Sequence, residues 1–231
     1  LVLSLFLWNT FLMVPIKLFV VSLHELSHGL AAVISGGEIV KIQISPKIGG
    51  YCMYRIPADT SMILRIFISS AGYLGSMFWG ALIFIASSRM PNDRIITGIV
   101  AVAMGILSVF VIRTGELFGI LFTIASVLFL IISLKWFSDR FHDLFLKFLG
   151  LSSCFYVITD IKSDLIDRSG IGSDADQIAR MLGSDSLSVP IGILWILMAI
   201  AVLVFSIRKT LTYNGAQTIQ SDRPVDEERN P

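Results

Sequence analysis

Long apolar runs, each interrupted by only a few charges, constrain this chain more than any other feature. They lie at about Leu5–Ser35, Met62–Ser88, Ile95–Ile112, Leu117–Leu134, Phe141–Ile166 and Val189–Ile207. Each is close to the ~20 mostly apolar residues that cross a bilayer as a helix. The whole composition agrees: 55% of the 231 residues are hydrophobic and only 15% are charged. Soluble domains average about 45–50% and about 25%. Mean hydropathy is +0.79, so lipid is the main solvent. The expected fold is an all-α membrane protein of about six transmembrane helices. The opening stretch lacks a basic leader region and a small-residue cleavage site, and reads as a retained span, kinked at Pro15. The fifth run begins with Arg140, His142, Asp143 and Lys147, an interfacial start where a solvated histidine is expected.

One stretch breaks the helical pattern. Over Glu38–Ile56, Ile39, Lys41, Gln43 and Ser45 alternate with Val40, Ile42 and Ile44, which is a strand period. Pro46 and Gly49-Gly50 supply a turn, and Tyr51–Ile56 returns. A small β-hairpin between the first two spans follows, at the headgroup level or in a protein-lined cavity, since open edges are not tolerated in lipid. Ser173 and Asp174 are good N-caps for a short helix over Ser173–Leu182. Asp174, Asp176 and Asp185 read as a solvated acidic loop. Residues 1–212 are thus expected to form one polytopic domain (hairpin 38–56), and 213–231 a disordered polar tail. The basic residues at the two membrane faces nearly balance, with a slight lean to a cytoplasmic C-terminus.

Net charge is +1, which gives no reason to expect a nucleic-acid partner. Cys52 and Cys154 have neither metal-ligand spacing nor a paired framework, and are expected as free, largely buried thiols.

The chemistry-bearing motif sits inside the first run: His24-Glu25-Leu26-Ser27-His28. Two histidines four apart lie on one helix face and can share one zinc ion, with the adjacent glutamate placed as general base. Lys17 is the only other formally charged residue before Gly36. Ionisable groups at such depth are costly and functional by default. A pair of histidines merely bridging helices is the weaker reading. Catalytic zinc sites take three protein ligands and keep one position open. The better third donor is a carboxylate on the fifth run. Asp160 is the first choice, because it follows an apolar stretch; Asp164, one turn on, is the alternative. In the second run, Ala71/Gly75 and Gly72/Ser76/Gly80 form rows of small residues that allow close helix packing in lipid, and they are expected to bring that span against the histidine helix.

These features together resemble the site-2 protease family of intramembrane zinc metalloproteases, in its short hairpin-containing branch without a PDZ domain. The resemblance rests on His24-Glu25-Leu26-Ser27-His28-Gly29, Gly36-Gly37, the hairpin, Ser70-Ala71-Gly72-Tyr73-Leu74-Gly75-Ser76 and the distal aspartate. It implies that His24, His28 and Asp160 hold Zn2+ and that Glu25 is the base. The implied activity is endoproteolysis of membrane-spanning or membrane-associated proteins or peptides, in a multi-pass membrane protein (the plasma membrane, were the source bacterial). Two departures stand out. Ala71-Gly72-Tyr73 and Ser76 replace the family's usual Ala-Gly-Pro and later Asn, and Asp160 is followed by Ile161 rather than Gly. Two rival functions remain at this stage. One is a catalytically silent metal-binding protein that binds or escorts membrane partners. The other is an ion path lined by His and Asp, disfavoured by the absence of inverted repeats.

Overall fold

A computed structural model describes residues 7–163 and 172–221, with side chains to 212. A 3-10 turn, Phe11–Met13, leads into α1 (Val14–Ile34), followed by β1 (Glu38–Ser45) and β2 (Gly49–Arg55). Then come α2 (Met62–Ser87), α3 (Asp93–Ile112), α4 (Leu117–Trp136) and α5 (Asp139–Lys162). The short α6 (Asp174–Met181), a 3-10 turn at Asp185–Leu187 and α7 (Ser188–Ser221) complete the order. Six of these helices are long and apolar enough to cross a membrane, and the hairpin lies between the first two. The fold is therefore the expected all-α membrane architecture with a small antiparallel insertion.

Pro15 and His142 differ from expectation, each for a local reason. Pro15 does not kink the first span but opens it, standing in the first turn of α1, where its missing N–H costs nothing. The last helix ends at Ser221; residues 222–231 of the expected polar tail lie outside the described residues. His142 is fully buried instead of solvated. It bridges Thr97 Oγ1 on α3 (3.0 Å) and the Ser133 carbonyl on α4 (3.1 Å). Both ring nitrogens thus have partners, which removes the cost of burial.

α1 is the innermost helix: 78% of its most apolar window is buried, against 22% for α4 and for α7. Its end is a Schellman turn, with Gly37 N–H donating to Ala32 O (2.9 Å) and Gly36 N–H to Val33 O (3.0 Å). Gly36 takes φ +85° there, a conformation that a Cβ would strain. The chain reverses into β1, and the hairpin packs back onto α1. β1 and β2 pair from Glu38↔Arg55 to Ser45↔Gly49, with a bulge between Ile39 and Lys41. α2 packs against α1, α5, α6 and α7, making it the hub of the site.

The small-residue rows of α2 divide between two neighbours. A Cβ at Gly72 or Gly75 would run into α1, at His24 and His28 and at Ser27 respectively. One at Gly80 would lie 2.8 Å from the Gly150 carbonyl of α5. Both cysteines are free; Cys154 is buried and Cys52 partly so. Burial pushes the Cys52 thiol up to about 12, with the nearby Glu25 adding to the shift.

Candidate metal centre

The site grows from one turn of α1. His24 and His28 stack one turn apart, their Nε2 atoms 3.2 Å from each other. His28 is oriented by its other nitrogen: Nδ1 donates to the Ile68 carbonyl on α2 at 2.7 Å. That bond turns the Nε2 lone pair toward the cavity, as a ligating imidazole requires. His24 Nδ1 is buried and has no hydrogen-bond partner among the described residues. Its ring instead packs edge-on against Tyr73, centroids 4.9 Å apart.

The carboxylate beside both rings belongs to Asp174, the first residue of α6. Its Oδ2 lies 3.3 Å from His24 Nε2 and 3.2 Å from His28 Nε2. Ser173 delivers it by a capping box: its hydroxyl accepts from Asp176 N–H while Asp176 accepts from Ser173 N–H. Ala175, Ile178 and Ala179 are the buried apolar residues of α6 and anchor it. Burial opposes the charge on Asp174, but the two imidazoles outweigh it and hold the carboxyl below its usual range.

Whether these residues suit a zinc ion can be tested on distances. Bonds of ~2.0–2.1 Å in a tetrahedron put neighbouring ligand atoms about 3.3 Å apart. The three donors stand 3.2, 3.2 and 3.3 Å from one another, one face of that tetrahedron. The chemistry fits too, two imidazoles and one carboxylate being a catalytic-zinc set. Gly72 provides the room, since a Cβ there would overlap both Nε2 atoms. Among the described residues, His24, His28 and Asp174 are the one group of three such donors close enough to share a metal.

The donors line a cavity of ≈ 290 Å³ that also takes in Glu25, Gly49–Cys52 of β2, Tyr73, Tyr156, Asp160 and Gln177. Glu25 is buried, and β2 covers it: a Cβ at Gly50 would sit 2.9 Å from Glu25 Cγ.

The structure thus brings His24, Glu25 and His28 together as expected. Asp160, expected as the third ligand, lies in the same cavity wall but outside the three-donor group. It accepts a hydrogen bond from Tyr73 Oη at 3.4 Å. Asp164 lies outside the described residues. The position beside the histidines goes to Asp174, which by sequence alone belongs to a solvated acidic loop. The signal for it was present: Gly172-Ser173-Asp174 puts an acid at the first turn of a capped helix. What α6 folds back onto is long-range information that capping rules do not carry.

Fold and site together define a multi-pass membrane protein with a candidate metal centre at its most buried helix. The chain belongs to the Peptidase M50B-like family, whose model matches residues 1–207. Membership makes it one of a family of membrane metalloproteases, zinc enzymes as a group. No curated protein and no solved structure matches the chain.

Proposed function

We propose that the chain is an intramembrane zinc endopeptidase acting on membrane-spanning or membrane-associated proteins, with His24, His28 and Asp174 as the metal ligands and Glu25 as general base. The observation that carries this reading is the triangle of donors, with sides of 3.2–3.3 Å, in the wall of a cavity that Glu25 shares. Zinc bound there supplies a Lewis acid for the scissile carbonyl and lowers the pKa of its water to about 7.

The rest of the work falls to the chain. Glu25 accepts a proton from the attacking water and hands it to the leaving amine nitrogen. Its neighbour in sequence, His24, fixes its distance from the reacting atoms. β2 offers the substrate an extended template, because Gly49–Cys52 line the cavity and β2 pairs only with β1 among the described residues. A substrate segment that adds to that edge gains main-chain hydrogen bonds with little demand on its side chains. Gly50 lets the segment approach Glu25 without a side chain between them. α1, α2 and the hairpin wall a cavity lined by several polar side chains, in which charge separation is tolerable.

The test separates metal binding from catalysis. Purified protein is expected to hold about one zinc per chain, and Glu25→Gln to keep that zinc while cleavage of a membrane substrate falls by about 10²–10⁴. His24→Ala and Asp174→Ala are expected to lose the metal. Full zinc occupancy in Asp174→Ala removes Asp174 from the ligand set, and retained cleavage in Glu25→Gln removes Glu25 from its role.

A further inference from the structure

Two ligand imidazoles in one site are held by different means. His28 has a directed hydrogen bond to a backbone carbonyl. His24 has none at Nδ1 among the described residues, although that atom is buried. A ligand ring without such a bond is free to rotate about its own axis unless packing stops it, and rotation swings Nε2 off the metal position. The face that stops it is Tyr73, edge-on at 4.9 Å.

Tyr73 is itself fixed from two sides. Its ring packs on Trp195 of α7, centroids 5.1 Å apart, and its hydroxyl donates to Asp160 Oδ2 on α5 at 3.4 Å. It is only 2% exposed and stands next to Gly72, the residue whose missing side chain clears the metal position. One turn of α2 therefore both opens that position and locks the ring beside it.

We infer that Tyr73 is a positioning residue for the His24 ligand, and that Asp160 acts on the metal centre through Tyr73 rather than by ligation. This rests on the zinc reading above and deepens it: it gives the one cavity carboxylate left outside both ligation and base catalysis a defined role. It also makes metal affinity depend on α5 and α7, neither of which supplies a ligand. Orienting partners of this kind typically change metal affinity 10–100-fold.

The test measures zinc affinity of the full-length, detergent-purified protein by chelator competition, with the absorption spectrum of the cobalt-substituted protein as a report on ligand geometry. Tyr73→Leu, which removes the packing face, is expected to weaken zinc about 10–100-fold and shift the cobalt bands. Tyr73→Phe keeps the ring, so it should restore most of the affinity and leave only a few-fold loss. Asp160→Asn should resemble Tyr73→Phe, and the double variant should be no weaker than either single one, because both remove the same hydrogen bond. Wild-type affinity in Tyr73→Leu overturns the inference. So does additivity in the double variant. So does complete loss of zinc in Asp160→Asn, which would make Asp160 a ligand. Absence of zinc from the wild-type protein overturns the metal reading itself, a result distinguishable from wild-type affinity in the variants.

Discussion

Gly72 concentrates the constraints of the site into one missing methyl group. A Cβ there would overlap the Nε2 atoms of His24 and His28, at the positions where ligand lone pairs converge. Gly72→Ala is therefore expected to abolish stoichiometric zinc binding, with a folding cost of about 1–3 kcal/mol for overpacking. Gly98, on α3, has nothing within 4 Å of its Cβ position. Gly98→Ala should leave zinc unchanged and gain a little helix stability. Metal analysis of the two variants side by side checks the point; full zinc in Gly72→Ala would mean that the rings sit elsewhere. At this scale the sequence was informative where chemistry is local. His24, Glu25 and His28 could be read directly because helical spacing alone puts them on one face. The carboxylate could not. Asp160 and Asp174 are both apt donors, and the choice between them depends on how α6 folds back against α2, which no local pattern encodes.

At the scale of elements, α6 and the hairpin build the site without crossing the membrane. α6 has only eight residues, too short to be stable alone, so its cap and its buried face must hold it. Ser173→Ala removes the hydroxyl that caps α6, at a cost of about 1 kcal/mol. Because the next residue is Asp174, that cost should reappear as roughly five-fold weaker zinc, since 1.4 kcal/mol is ten-fold, with little change in global unfolding. The chelator competition used for Tyr73 measures it. The hairpin carries a separate prediction through Cys52. With its thiol pushed up to about 12, the thiolate fraction at pH 8 is about 10⁻⁴, against about 0.2 for an ordinary thiol near 8.5. Alkylation at pH 8, followed by mass spectrometry, should therefore run about ten- to a hundred-fold slower at Cys52 than at an exposed cysteine, the greater nucleophilicity of a more basic thiolate offsetting part of the deficit. The alternation of Ile39–Ser45 made the hairpin legible. What it covers was not, because β2 reaches Glu25 only through the glycine turn that ends α1.

In the whole molecule, two groups of buried polar side chains stand apart: the candidate metal centre on α1, and a bridge that holds α3, α4 and α5 together. His142 belongs to the second. It is fully buried and joins α3, α4 and α5 through Thr97 and the Ser133 carbonyl. Beside it, Arg94 reaches Asp139 at 2.6 Å and the Phe137 carbonyl at 2.8 Å, closing the same end of these helices. The long apolar runs announced these spans, but their chemistry could not say how they pack, since lipid solvates every apolar face alike and assembly falls to small residues and polar bridges. That is why an interfacial histidine in the sequence becomes a buried bridge in the fold. His142→Ala should leave a cavity and strip Thr97 and the Ser133 carbonyl of a partner, costing about 2–4 kcal/mol. Zinc content and the cobalt spectrum should stay as in the wild type, because neither histidine of α1 touches this bridge. Unfolding in detergent, followed alongside metal content, distinguishes the two centres. If His142→Ala lost zinc while still folded, the α3–α5 bridge would be part of the metal centre's support, and the division of labour drawn here would fail.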